Sequence, residues 1–388
     1  MRRAGLLMTA AIVAAAPLAL LPPAAPALAA ECLPPAQTPY PAVPWAQEQL
    51  APQRAWALSR GEGVVVAVVD TGVSASAPAL AGRVLPGRDI RPIGGAANTD
   101  CAGHGTFVAS LIAAGAMAGT GFSGVAPGAV ILPVRVAETF DDQHPDVLAL
   151  GIEAAIDDGA TIIVVVPSAP FGSTALANAI ARAERENRVV IAASTTHRTG
   201  GEAHPAAYAS VLSVAGIKHD GSPLSFLGLD GTGRIPDLAG PATDLVGVAP
   251  AGAGNLVGSA RCFATGFVAG AAALVRGYLP GLTAAQVRER LVGTADPAPP
   301  SARPALGRGM VDPLAAVTTV DPPAPDESGP PVIAPAPTLP HALRDAHRDG
   351  VQLAGNLVVL IAMIAVIAGL FATAAVAARR RRIGDGKE

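Results

Sequence analysis

Short runs of apolar, mostly β-branched residues recur through the middle of the chain. They lie at residues 64–69, 130–136, 161–166, 189–193 and 211–215. Runs of this length without polar alternation predict strands that are buried on both faces. Stretches at residues 145–157 and 175–186 lie between these runs and predict helices. The alternation of strands and helices predicts an α/β domain over residues 61–317, with a mostly parallel central sheet covered on both faces.

The first residues have the pattern of a secretory signal peptide. Arg2 and Arg3 precede an uncharged apolar run, and Ala27-Leu28-Ala29 supplies the small residues of a cleavage site. We therefore predict a signal peptide over residues 1–29. An uncleaved membrane anchor is the alternative, and the prolines at positions 22, 23 and 26 disfavour it because they interrupt a helix.

A second apolar segment lies near the end of the chain. Residues 351–378 contain no charged residue, and arginines occupy positions 379–382. About 20 apolar residues span a bilayer as a helix, so we predict a transmembrane helix here rather than a buried core helix. By the positive-inside rule, the basic tail (residues 379–388) stays in the cytoplasm and the rest of the chain lies outside. Signal peptide and span predict the same single-pass topology in the cell membrane.

Two proline-rich segments flank the predicted domain. Residues 30–60 are predicted to form an arm that wraps the domain, and residues 318–350 a stiff spacer between domain and membrane. The formal net charge is −3 and no basic stripe with interleaved aromatic residues occurs, so nucleic acid is not predicted as a partner. No cluster of Asp and Asn residues suggests a calcium site, and we predict no metal or cofactor.

The chain has three cysteines, Cys32, Cys101 and Cys262. An exported domain permits disulfides, and an odd count leaves at least one thiol unpaired. The count alone does not decide which thiol that is.

Two blocks carry candidate catalytic groups. Asp70 ends the first apolar run, where α/β sheets place their sites; an Asx-turn is the simpler interpretation, and an aspartic protease would need a second such carboxylate. His104 lies in Gly103-His104-Gly105-Thr106, which predicts a tight turn into a helix. A histidine there is either a helix cap or a general base, the latter if a carboxylate holds its other ring nitrogen.

A third block is Ala260-Arg261-Cys262-Phe263-Ala264, followed by an apolar helix. Together the three blocks resemble the aspartate, histidine and serine blocks of the subtilisin (S8) peptidase family. The resemblance covers about residues 40–317 and implies a subtilisin-like, three-layer α/β domain that acts on a peptide or protein. It places Cys262 in the position of the nucleophilic serine. Ser259 is either a shifted nucleophile or a helix N-cap, and we favour the N-cap.

Two further positions depart from the family pattern. Thr196 stands where the family has the asparagine that helps to bind the oxyanion. Valines at residues 164–166 replace the polar residues that line the family's substrate cleft.

The overall layout narrows the resemblance. The layout resembles that of the mycosins, which are membrane-anchored subtilases of type VII (ESX) secretion systems. The shared features are a signal peptide, an arm with a cysteine, Asp100-Cys101 before the histidine block, a proline-rich spacer and a single span. The resemblance implies that Cys32 pairs with Cys101 and that Cys262 is the free thiol. It also implies a membrane secretion complex as partner.

The substitution at Cys262 leaves three functional hypotheses. A sulfur nucleophile activated by histidine is chemically competent, so an active cysteine peptidase or an acyl transferase is one hypothesis. The subtilisin site is built around an oxygen, however, and function follows the site rather than the fold. We therefore favour a peptidase homologue with weak or absent proteolysis, with a scaffold or peptide-binding subunit of a secretion complex as the non-catalytic alternative.

Overall fold

The computed structural model describes residues 32–320, apart from Ile93, residues 197–201 and residues 225–233. The predicted signal peptide (residues 1–29), transmembrane helix (residues 351–378) and basic tail (residues 379–388) lie outside the described residues, as does most of the spacer (residues 318–350). Within the described part of the chain, no helix is both long and apolar enough to cross a membrane.

A nine-stranded sheet forms the centre of the described structure, and a two-stranded antiparallel sheet lies beside it. The strands are β1 (Val65–Asp70), β2 (Arg88–Asp89), β3 (Val130–Arg135), β4 (Ile162–Val165), β5 (Val189–Ala193), β6 (Leu212–Ile217), β7 (Leu238–Pro241), β8 (Leu245–Val248), β9 (Asn255–Gly258), β10 (Asp296–Pro297) and β11 (Gly309–Met310). The large sheet has the order β10-β11-β7-β6-β5-β4-β1-β3-β2. All its pairs are parallel except β10 with β11. The predicted mostly parallel α/β sheet is confirmed.

Helices cover both faces of this sheet. They are α1 (Trp45–Leu50), α2 (His104–Ala113), α3 (Pro145–Asp157), α4 (Thr174–Arg185), α5 (Ala264–Tyr278), α6 (Ala284–Gly293), α7 (Arg303–Leu306) and α8 (Pro313–Thr318). Because side chains alternate along a strand, Val66 and Val68 of β1 pack in the core with α2 and α5, while Ala67 and Val69 pack in the core with α3 and α4.

Two of the helices that cover the sheet, α3 and α4, start at side-chain caps. The His144 side chain accepts a hydrogen bond from the Asp146 N–H at the start of α3, and Ser173 caps α4 in the same way. Helix α5 packs against α2 through small residues, and a Cβ on Gly266 would lie 3.1 Å from the Cβ of Leu111 in α2. This close packing places the start of α5 beside the start of α2.

The proline-rich arm lies along the domain as extended chain before α1. The N–H of Leu33 donates to the Cys101 carbonyl at 2.9 Å, and the N–H of Ala36 donates to the Ala251 carbonyl at 3.0 Å. Cys32 is bonded to Cys101 by a disulfide across 69 residues of sequence. The arm is thus attached next to the segment that leads into α2.

Candidate active site

Asp70 is the last residue of β1, at the carboxyl end of a strand in the middle of the sheet. Its side chain is fully buried. Oδ1 accepts a hydrogen bond from the Thr71 N–H at 2.8 Å, and Oδ2 lies 2.7 Å from Nδ1 of His104. A carboxylate in this position fixes the orientation of the imidazole.

His104 is the first residue of α2, and two glycines shape the turn that delivers it. Gly103 has φ = 79°, in the left-handed region that favours glycine. A Cβ on Gly105 would lie 2.1 Å from the Gly72 carbonyl oxygen, so only glycine permits α2 to approach the turn after β1 this closely.

The buried carboxylate of Asp100 organises the same turn. It accepts hydrogen bonds from the Thr71 hydroxyl at 2.9 Å and from the Gly103 N–H at 2.9 Å. The N–H and the hydroxyl of Thr106 donate to its other oxygen at 2.9 and 2.7 Å. Asp100 therefore links the end of β1 to the first turn of α2, and with them Asp70 to His104.

Cys262 lies beside His104, although the two residues are far apart in the sequence. It lies in a 3₁₀ turn, Arg261–Phe263, immediately before α5, and its side chain is buried. Its Sγ lies 3.5 Å from Nε2 of His104. The N terminus of a helix favours negative charge on a group placed there, and an imidazole at this distance can exchange a proton with the sulfur. The structure thus aligns carboxylate, imidazole and thiol in one row.

The electrostatics of this row favour a protonated imidazole. Burial by itself lowers the pKa of His104, but the charges of Asp70 and Cys262 outweigh burial and raise that pKa to about 10. Burial raises the pKa of Asp70 above its ordinary value, and the neighbouring His104 opposes that rise. An imidazolium between two acidic groups is the arrangement expected of a nucleophile and its base.

Comparison with known proteins places this geometry in a family. Residues 61–314 match the subtilase family, Peptidase S8. The chain belongs to the subtilase family.

Two curated relatives and one solved structure narrow the placement. The chain is 34% identical over 202 residues to thermitase from Thermoactinomyces vulgaris. This match covers 51% of the present chain and 69% of thermitase. It is 30% identical to mycosin-4 from Mycobacterium tuberculosis, over 85% of this chain and 80% of that protein. A chain in the structure of the periplasmic assembly from the ESX-5 inner membrane complex superimposes with a TM-score of 0.64 at 28% identity, covering 80% of this chain and 92% of that one. The protein is a mycosin-like subtilase.

The positions predicted from the sequence to depart from the family pattern lie in the core of this subtilase. Thr196 follows β5 and is fully buried, and β5 contacts the turn that carries Cys262. Val164 packs in the core with α2 and α5, and Val165 in the core with α3 and α4. The valines at residues 164–166 are all buried.

Ser259 does not act as the helix cap that we favoured, and that prediction is wrong. Ala260 precedes the 3₁₀ turn and Phe263 precedes α5, and neither helix start has a side-chain cap. The exposed hydroxyl of Ser259 instead accepts a hydrogen bond from the Asp244 N–H at 2.8 Å. This contact joins Ser259, which follows β9, to the loop between β7 and β8.

Sequence reasoning missed two neighbours of the mycosin-like site. Asp100 drew attention only through its place before Cys101, although an acidic residue shortly before a helix start is a signal for capping. Phe140 stacks on the His104 ring with centroids 3.7 Å apart, and no local pattern marks it because it lies in a loop. Among the residues that the structure describes, no group of three or more His, Cys, Asp or Glu side chains could hold a metal ion.

Proposed function

We propose that this mycosin-like subtilase is a membrane-tethered peptidase homologue with weak or absent proteolysis that serves in a type VII secretion membrane complex. The observation that carries the proposal is the sulfur of Cys262, 3.5 Å from His104 in the place where the family has its serine oxygen. Thr196 is fully buried. The family resemblance assigns it the position of the oxyanion asparagine, and the loss of that asparagine would remove a second part of the peptidase chemistry.

The loss of turnover expected from each of these two changes supports weak proteolysis. In subtilisin, loss of one oxyanion-hole donor lowers turnover by about 10²–10³. Loss of its serine lowers turnover by about 10⁶. A sulfur recovers part of the second loss because it is nucleophilic, but its larger radius shifts the attack away from geometry suited to an oxygen. The two changes together therefore favour a protein whose main task is binding.

The proposed membrane complex rests on similarity and topology. The protein chain from the ESX-5 periplasmic assembly matches most of this chain, and a mycosin-like subtilase is expected to occupy the same kind of complex. The predicted signal peptide and the predicted helix at residues 351–378 would hold the domain outside the cell membrane, with the tail at residues 379–388 inside.

Secretion and complex assembly test the proposal together. The tagged full chain should co-purify with the membrane subunits of a type VII system, and Cys262→Ala should leave both co-purification and secretion unchanged. Failure of secretion in Cys262→Ala, with the complex assembled normally, would show that the thiol chemistry is required. Failure of the wild-type chain to co-purify would remove the secretion complex from the proposal.

The alignment of Asp70, His104 and Cys262 favours a second candidate, a cysteine-nucleophile peptidase or acyl transferase. The sulfur would attack a peptide carbonyl, the carbon–nitrogen bond would break, and His104 would give its proton to the leaving amine. Water or another amine would then release the acyl group from sulfur.

The rate at which Cys262 is alkylated tests this second candidate. Cys32 and Cys101 form a disulfide, so iodoacetamide reports on the free thiol of Cys262. The candidate predicts faster alkylation than that of an ordinary thiol, with the excess lost in His104→Ala. Equal rates with and without His104 would rule it out.

A further inference from the structure

The segment at residues 138–144, which we call the cleft loop, connects β3 to α3 beside the active site. Both of its ends are attached. Glu138 forms an ion pair with Arg91, which is itself paired with Asp89. At the other end, His144 caps α3 through the Asp146 N–H at 3.3 Å. The residues between these two attachments are neither strand nor helix.

The first contact of the cleft loop is with His104. The Phe140 ring lies parallel to the imidazole, with 3.7 Å between ring centroids and 12° between ring planes. Phe263, next to Cys262, lies on the same histidine at 5.1 Å. Only 11% of the His104 side chain is exposed. Phe140 therefore covers a ring face that a bound molecule would otherwise contact.

The second contact is with the backbone beyond β4. The Gln143 N–H donates to the Ser168 carbonyl at 2.8 Å. Ala169, the next residue, exchanges both of its backbone hydrogen bonds with His204, at 2.8 and 2.9 Å. Residues 168–169 are thus a short extended segment whose one edge is paired with His204 and whose other edge is taken by the cleft loop.

An edge of extended chain that has no strand beside it is where an extended peptide adds as a strand. Successive peptide groups of extended chain point to opposite sides, so the Ser168 carbonyl is the acceptor that such a peptide would use. The cleft loop satisfies this acceptor and covers the histidine at the same time. The His104 ring face and the Ser168 carbonyl together define what we call the groove, and the cleft loop occupies both.

We propose that the cleft loop is an internal ligand of this groove, and that the molecule which displaces it is an extended peptide with an aromatic side chain. The aromatic side chain takes the place of Phe140 on His104, and a backbone N–H of the peptide takes the place of Gln143 on Ser168. The proposal rests on the proposed function, because it names the class of ligand for that same site.

Hydrogen bonds inside the cleft loop are local and need not break when it moves. The Asp142 N–H donates to the Asp141 side chain at 2.8 Å, and the Gln143 side chain donates to the Asp141 carbonyl at 3.1 Å. Among the contacts of the cleft loop, displacement breaks the ring stack on His104 and the backbone hydrogen bond to Ser168. An incoming aromatic peptide replaces both with interactions of the same kind.

Labelling of Cys262 by two peptide chloromethyl ketones tests the proposal; in each case the sulfur displaces chloride. The two reagents differ only in the residue before the ketone-bearing one, which is phenylalanine or glycine. An aromatic stack favours the phenylalanine reagent by about 2- to 10-fold in labelling rate. Phe140→Ala should raise its rate by a further factor of about 2 to 10, since no ring has to leave.

Tyr278→Ala is the matched control, because Tyr278 is a partly exposed aromatic residue at the end of α5, and its rates should equal those of the wild type. Equal rates for the two reagents, or no gain in Phe140→Ala with its unfolding midpoint retained, would overturn the proposal.

Hydrogen exchange on the wild-type chain gives a second readout that needs no variant of the loop. Labelling with the phenylalanine reagent should speed amide exchange within residues 138–143, and the same reagent added to Cys262→Ala should not. Unchanged exchange after labelling would also overturn the proposal. Failure to co-purify with a secretion complex would affect neither result, so loss of the proposed function and loss of this inference are distinguishable.

Discussion

At the residue scale, the geometry of the site depends on a buried carboxylate outside the row of Asp70, His104 and Cys262. Asp100 accepts the hydrogen bonds that join Thr71, Gly103 and Thr106. A buried acceptor that is replaced by a donor leaves its partners unsatisfied, and that loss exceeds the net value of the bonds.

Asp100→Asn should therefore lower the free energy of unfolding by about 1–3 kcal/mol. The matched control is Asp244→Asn at an exposed position, where a change below about 0.5 kcal/mol is expected. Urea denaturation of both variants provides the comparison. Equal stability of the two variants would show that Asp100 does not hold the turn.

The protonation of His104 links stability to pH. Its pKa rises from an ordinary 6.5 to about 10 in the folded protein. Its contribution to the free energy of unfolding is therefore complete below pH 6.5 and is lost as the pH rises through about 10. In Cys262→Ser the hydroxyl carries no charge, so the pKa of His104 should fall. NMR titration of the His104 ring measures this pKa, and an identical pKa in both proteins would show that Cys262 does not raise it.

Single residues differ in how far the sequence predicts them. Asp70, His104 and Cys262 stand in blocks whose spacing is characteristic, and the structure brings all three together. Phe140 acts through a contact with His104 in a distant segment, which no local pattern records. Asp100 has a local signal, its place shortly before a helix start, but its hydrogen bond with Thr71 depends on the fold. Ser259 was assigned as a cap because it precedes a helix, but it lies too far upstream and bonds to the Asp244 N–H instead.

At the scale of elements, the long buried strands were predictable and the short ones were not. Strands β1, β3 and β5 are continuous apolar runs because both of their faces are covered. Strands β10 and β11 are two residues each, and Asp296 and Pro297 carry no strand signal. Their pairing is imposed by the surrounding fold.

The approach of α2 to β1 is the tightest element contact at the site. Gly105→Ala would place a Cβ against the Gly72 carbonyl and near the Asp70 Cβ. Overpacking of this kind lowers the free energy of unfolding by about 1–3 kcal/mol, and it should also slow any His104-dependent alkylation of Cys262. Gly281→Ala is the control, because a Cβ there meets nothing within 4 Å. Thermal unfolding with alkylation kinetics tests both effects, and similar behaviour of the two variants would refute the tight contact.

At the scale of the whole molecule, the arm ties the beginning of the domain to the catalytic turn. The disulfide closes 69 residues of chain, and the arm adds backbone hydrogen bonds to residues 101 and 251. The sequence predicted the arm from its prolines, while its course along the domain depends on contacts that only the folded chain makes.

Removing the disulfide with Cys32→Ser and Cys101→Ser should lower the free energy of unfolding by about 4 kcal/mol, because the unfolded chain is released from a long loop. Guanidinium denaturation of the double variant measures the loss, and Cys262 remains as the free thiol in both proteins. A loss below about 1 kcal/mol would show that the backbone contacts of the arm suffice without the disulfide.

The most direct test of the account is the hydrolysis of a peptide by the wild type, by Cys262→Ser, and by Cys262→Ser with Thr196→Asn. If the subtilase frame is intact and only its chemistry has changed, the double variant should exceed the wild type by more than about 100-fold, because restoring one oxyanion donor alone is worth about that much. Cys262→Ser alone should lie between them. A wild-type protein that hydrolyses the peptide as fast as the folded double variant would contradict the account.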